Sequence, residues 1–265
     1  MRTFREITNI ILIIFLISLH SCTQNANLDD RIDYVNNPKS TDTLCISEIQ
    51  RAQEDIKNGK IVFTQKFGFG TSQLRYENEL IDLCKENGLV FDVDLIECSV
   101  YEGQTRGCYG DYMDKMINEK FGIDFKDKLH KKADSLYLEN VIKQNKIVRN
   151  WDCDEKARLP NETERNNDYL PSIKVKDLDI KEKIGDYGGW PFFDFSFIVE
   201  KDSSLSGFYI SNFVPQLDDN KKYEKELFNL AVGYMKTNYP IWIPGKISGI
   251  PVRTDKNVRL FFVKE

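Results

Sequence analysis

Cys108 and His130 are the residue types a thiol hydrolase needs, a nucleophile and the base that activates it. His130 and His20 are the only two histidines, so imidazole chemistry has few candidates. Cys108 and His130 fall on separate expected helices, and a disulfide at Cys108 would consume the thiol. A solvated His130 among Lys128, Lys131 and Lys132 is the simpler reading. Gly68-x-Gly70 is the beginning of a phosphate loop, but the third glycine and the Lys-Ser/Thr tail are missing, so it reads as a turn. Glu77, Glu79 and Asp82 lie on the polar side of an expected helix, where a solvated face is the default. No C-x-x-C occurs, which removes the usual redox dithiol and the zinc ribbon. No catalytic residue, metal site or cofactor is therefore assigned, and the chain reads as non-enzymatic. With 37 Lys+Arg against 42 Asp+Glu, the net charge of −5 offers no broad basic face for nucleic acid. No small-molecule substrate is inferred.

The remaining chemistry is cysteine chemistry, and the N-terminus sets its compartment. Arg2 and Arg5 precede an apolar run from Ile10 to Leu19 that only Ser18 interrupts. This is the layout of a secretory signal. Leu19-x-Ser21-Cys22 resembles a bacterial lipobox, which implies cleavage after residue 21, lipidation of Cys22 and a cell-envelope location. The periplasmic side of the outer membrane is favoured over the inner membrane. The competing reading is an uncleaved anchor, but Ile7 to Leu19 gives roughly 20 Å of helix against a hydrocarbon core of ~30 Å. Export favours disulfides. Cys98 and Cys108 are the nearest pair, and closing their loop stabilises by about 2.5–3 kcal/mol on the chain-entropy model. Cys45–Cys84 and Cys84–Cys153 are the alternatives, with Cys84 otherwise a buried small hydrophobe.

Five stretches must position these groups. Residues 1–21 are the signal peptide, and 22–44 are polar, Asn- and Asp-rich and read as a lipidated flexible tether. Residues 45–150 form a small α+β domain resembling no family. Its helices are expected over Ile46–Lys57, from Thr71 or Ser72 to Asn87-Gly88, around Tyr112–Phe121 and from Asp124. Its strands are expected near Lys60–Gln65 and Phe91–Ile96. Residues 151–172 lose periodicity, gain charge and read as a linker. Within 173–265, Phe193, Phe195, Phe197 and Val199 alternate on one strand face, and Lys201-Asp202-Ser203-Ser204 turns the chain into a second strand, Leu205–Ser211. An amphipathic helix over Lys221–Tyr234 and a terminal strand, Asn257–Val263, follow.

Phe197-Ile198-Val199-Glu200-Lys201-Asp202, a helix, and then Trp242-x-Pro244-Gly245-Lys246-x-x-Gly249-x-Pro251-Val252 before a last strand resemble the C-terminal domain of the TonB energy-transducer family, especially its Bacteroidetes members. The resemblance covers about residues 190–264. It implies a three-stranded antiparallel sheet packed with one or two helices. It also implies a terminal strand, Val258, Arg259, Leu260, Phe261, Phe262 and Val263, that pairs with a short peptide of an envelope protein such as an outer-membrane receptor or transporter. The motif residues Trp242, Pro244, Gly245, Lys246, Gly249 and Pro251 are expected to shape the loop and fill the gap between helix and sheet. The chain departs from the family in three ways. No Tyr-Pro helix lies in Asp177–Trp190, no long Pro-rich spacer occurs, and an anchor at Cys22 replaces the transmembrane helix.

The first functional expectation is thus a non-enzymatic, lipid-anchored envelope protein whose C-terminal domain binds another protein by strand addition. A TonB-type transducer for outer-membrane transport, its anchor uncleaved, is the second. An envelope hydrolase or redox enzyme using residues 45–150 is the third.

Overall fold

Leu28, Ile32 and Val35 recur at i, i+4 and i+7 in a segment that is otherwise polar, and that stripe makes Leu28–Asn36 a helix, α1, with Val35 buried. The computed structural model describes residues 28–68, 73–95, 101–161, 170–185 and 188–265. The signal peptide, Cys22, Gly70, the expected caps Thr71 and Ser72, Ile96 and Cys98 lie outside the described residues. Over Leu28–Asn36 the chain is helical where a flexible tether was expected, because Val35 and Tyr34 pack against Cys45, Ile49 and Cys108.

Two compact units divide the chain between Leu136 and Tyr137. In the first, α2 (Thr43–Lys57) begins at Asp42, a fully buried N-cap. The Asp42 carboxylate accepts hydrogen bonds from the Cys45 N–H at 3.1 Å, the Thr105 N–H at 3.1 Å and the Tyr34 hydroxyl at 2.8 Å. Burial alone would raise its pKa, but these donors outweigh burial and hold it below the ordinary value. Strands β1 (Val62–Phe67) and β2 (Val90–Leu95) pair in parallel, from Val62 opposite Val90 to Phe67 opposite Leu95. Parallel neighbours need a crossover, which is α3 (Glu77–Glu86). The core gathers Phe63 of β1, Leu80, Leu83 and Cys84 of α3, and Ile117 of α4 (Cys108–Phe121). Gly107, at φ 81, turns the chain into α4, and Gly122, at φ 95, ends it. Helix α5 (Phe125–Lys143) follows, and the division between the units falls inside it.

The second unit is built on a sheet ordered β3-β9-β5-β6. Its elements are β3 (Ile147–Arg149), a 3-10 turn (Asn150–Asp152), β4 (Ile173–Val175), β5 (Phe192–Val199), β6 (Leu205–Val214), a second 3-10 turn (Asp218–Tyr223), α6 (Glu224–Asn238), the short pair β7 (Lys246–Ile247) and β8 (Ile250–Pro251), and β9 (Arg253–Lys264). β5 is central and antiparallel to both β6 and β9. Alternation places Phe193, Phe195, Phe197 and Val199 on one face with Val258, Leu260 and Phe262, and α6 covers them with Leu227, Ala231 and Met235. Arg253 grips Glu200 with two nitrogens at 2.7 and 2.8 Å, and Arg259 meets Asp194 at 2.7 Å, so ion pairs join β9 to β5 and its turn.

The fold is mixed α+β. The linker expected over 151–172 is overturned where it is described, since Ala157, Leu159 and Leu170 are buried in this unit's core. Glu155 and Arg158 form backbone bridges to Lys246 and Ile243. High charge hid three apolar anchors spaced too irregularly to show a period.

Candidate functional site

Cys108 is bonded to Cys45, not to Cys98. The bond joins the first turn of α2 to the first residue of α4, and both residues are fully buried. Sequence proximity favoured the shorter loop, but packing of α1 and α2 against α4 brought the distant pair together. The bridge consumes the thiol that a Cys108–His130 pair would need. His130 is only partly solvated: it stands edge-on to Phe63 at 5.5 Å and Tyr76 at 5.9 Å. Burial lowers its pKa from the ordinary value. The Cys84 thiol, buried in the same core, is pushed up to about 12. Among the described residues no group of His, Cys, Asp or Glu is arranged to hold a metal ion.

Of the motif residues, Trp242, Pro244 and Gly245 are buried, Lys246 is half-buried, and Gly249 and Pro251 are exposed. Trp242 is fully buried, edge-on to Phe197 at 5.1 Å, and its Nε1–H donates to the Tyr239 carbonyl. Gly245 packs against Thr254 and Cys153, Lys246 pairs with Glu155 at 2.8 Å, and Gly249, at φ 78, turns β7 into β8, where Pro251 sits.

The terminal strand is not the free margin the resemblance implied. On its side away from β5, β3 pairs with Arg253–Asp255 and β4 pairs with Phe262–Lys264. Both ends of that margin are therefore held by the chain's own backbone. Val258, Leu260 and Phe262 point into the core, and Arg259 is committed to Asp194 and lies over the Phe192 ring at 4.4 Å.

The opposite margin differs. Among the described residues, β6 ends the sheet and pairs only with β5. Its ten residues, Leu-Ser-Gly-Phe-Tyr-Ile-Ser-Asn-Phe-Val, contain neither a charge nor a proline. Proteins ordinarily blunt a long edge with lysine, proline or a covering element, because its unpaired N–H and C=O groups template a further strand. Two register irregularities interrupt the pairing of β6 with β5, one at Ser211 and one between Ser206 and Tyr209, where Gly207, at φ 57, packs against Ile198. Beside the edge lies a groove of about 550 Å³ floored by Phe208, Ile210 and Phe228 and rimmed by Lys222, Glu224 and Lys225 of the α6 approach. Phe208 is fixed by stacking on Phe195 at 5.8 Å, and Phe228 approaches Phe195 at 5.9 Å. An extended peptide laid along β6 would bond to its backbone and set alternate apolar side chains onto this floor. Sequence reading saw β6 as half of a hairpin. Its absence of charge was visible, but its place at the sheet margin was not.

No family model matches this chain, and no curated protein and no solved structure is significantly similar to it. Among the described residues, no helix is long and apolar enough to cross a membrane.

Proposed function

We propose that the chain is a non-enzymatic, lipid-anchored protein of a bacterial cell envelope whose second unit, a TonB C-terminal-like module, binds an extended segment of a partner protein by strand addition at β6. The observation that carries this reading is the ten-residue, uncharged edge strand beside an apolar groove. The hairpin, helix and last strand in the order β6-β5-β9, with Trp242 inside, support the likeness to that family's domain. The buried Cys45–Cys108 bridge supports export, because such bonds persist in oxidising compartments. The positive rim lysines favour a partner segment that carries an acidic residue beside alternating apolar ones.

Selection of the protein against a displayed library of unstructured peptides tests the proposal. Recovered peptides should alternate apolar and polar residues, and Ile210→Lys should weaken their binding by about tenfold or more by setting a charge on the groove floor. Peptides without alternation, or binding indifferent to Ile210→Lys, would count against it.

A further inference from the structure

The sheet face turned away from α6 carries a second cleft, of about 590 Å³, crossing β6, β5 and β9 to the 3-10 turn after β3. We infer that this cleft is a binding site for a neutral oligosaccharide, with Trp151 as its stacking platform.

Trp151 is 72% exposed, an unusual position for an indole. Its place in the chain is fixed. The Asn150 Oδ1 accepts the Ala157 N–H at 2.8 Å, and Arg149 is clamped to Asp152 by two hydrogen bonds at 2.6 and 3.2 Å. The same guanidinium lies 5.7 Å from the Trp151 ring centre. The turn's backbone is therefore held, and the Arg149 guanidinium beside the ring restricts the indole, which lowers the ordering entropy lost on binding. Tyr209, 45% exposed, lines the cleft from β6. The Tyr209 hydroxyl reaches across β5 to Asp255 of β9, so its ring lies over the middle strand and gives the cleft a second aromatic surface beside Trp151. The apolar C–H faces of sugar rings stack on such surfaces.

The strand floor is polar: Ser196, Ser211 and Asn257 lie there beside Asp255 and Lys256. Asn257 donates through Nδ2 to Ser196 Oγ at 2.9 Å and Ser211 Oγ at 2.8 Å, and Ser211 donates to the Asp194 carbonyl. These bonds orient the amide and leave Asn257 Oδ1 without a protein donor among the described residues, while the Trp151 Nε1–H likewise has no protein acceptor there. Each charged side chain at the cleft already has an interaction within the protein: Arg149 with Asp152, Asp255 with the Tyr209 hydroxyl at 3.1 Å, and neither Lys156 nor Lys256 is free. A ligand rich in hydroxyls and free of net charge fits this lining, since it supplies apolar faces for the rings and both donors and acceptors for the floor. An anionic strand such as nucleic acid would need uncommitted cations.

Calorimetric titration of the protein with chitohexaose, cellohexaose, maltohexaose and mannohexaose tests the assignment, with tryptophan fluorescence followed in parallel. Saturable binding of at least one glycan with a change in Trp151 emission is expected. Trp151→Ala and Asn257→Ala should each weaken that binding by about tenfold or more, and Trp151→Tyr should restore most of it. Near-UV circular dichroism of the buried Trp242 verifies that the variants fold. Failure of all four sugars to bind overturns the inference, as does glycan binding indifferent to Trp151→Ala, or a peptide found cross-linked at Trp151 instead.

Discussion

A Cβ added at Gly245 would lie 2.6 Å from Thr254 Oγ1 and 2.7 Å from Cys153 Sγ, in a part of the second unit where both neighbours are buried. The Gly245 N–H also donates to that Thr254 hydroxyl at 3.2 Å. Gly245→Ala should therefore cost about 1–3 kcal/mol through overpacking. Tryptophan fluorescence during chemical denaturation measures it directly, because Trp151, Trp190 and Trp242 all belong to the second unit. In the first unit, His130 sets a pH dependence. Its folded pKa lies below the ordinary 6.5, so as pH falls through that value the unfolded chain takes up the proton first. Stability contributed by the neutral ring is thus complete above about pH 6.5 and declines below it until the folded ring also protonates. Hydrogen exchange of the first unit between pH 7.5 and 5 should show this decline, with His130→Gln removing it. At this scale the sequence was informative about Trp242 and silent about His130. A buried aromatic after a helix is an expected plug, whereas three flanking lysines made His130 look fully solvated when packing against Phe63 and Tyr76 leaves it half-buried.

Elements were legible wherever period and punctuation agreed. Asn58-Gly59, Asn87-Gly88 and Gly122 each stop a helix, and the alternation of β5 survives intact in its buried face. Elements anchored by few apolar residues were not legible: α1 hid in an acidic, Asn-rich stretch, and β3 and β4 are each three residues long. Those two short strands occupy both ends of the β9 margin that the sequence reading had left free, which is why the proposed strand addition is placed at β6. The bridge between α2 and α4 belongs to this scale too. It spans 63 residues, and on the chain-entropy model a loop of that length contributes about 4 kcal/mol. Paired Cys45→Ser and Cys108→Ser substitutions should lower the first unit's melting temperature in far-UV circular dichroism and leave the tryptophan-monitored transition of the second unit unchanged. A bond between Cys98 and Cys108 in the native protein, found by peptide mapping, would contradict this pairing.

For the whole molecule, the described residues comprise a disulfide-closed first unit and a second unit whose sheet ends in the uncharged strand β6. The central claim is that β6, not β9, receives the partner. Photo-cross-linking in intact cells tests it most directly, with a photoreactive residue placed at Tyr209 on β6 in one strain and at Arg259 on β9 in another. The account predicts a discrete adduct from Tyr209 that Ile210→Lys abolishes, and none from Arg259. An adduct from Arg259 alone, or one from Tyr209 that survives Ile210→Lys, would contradict it.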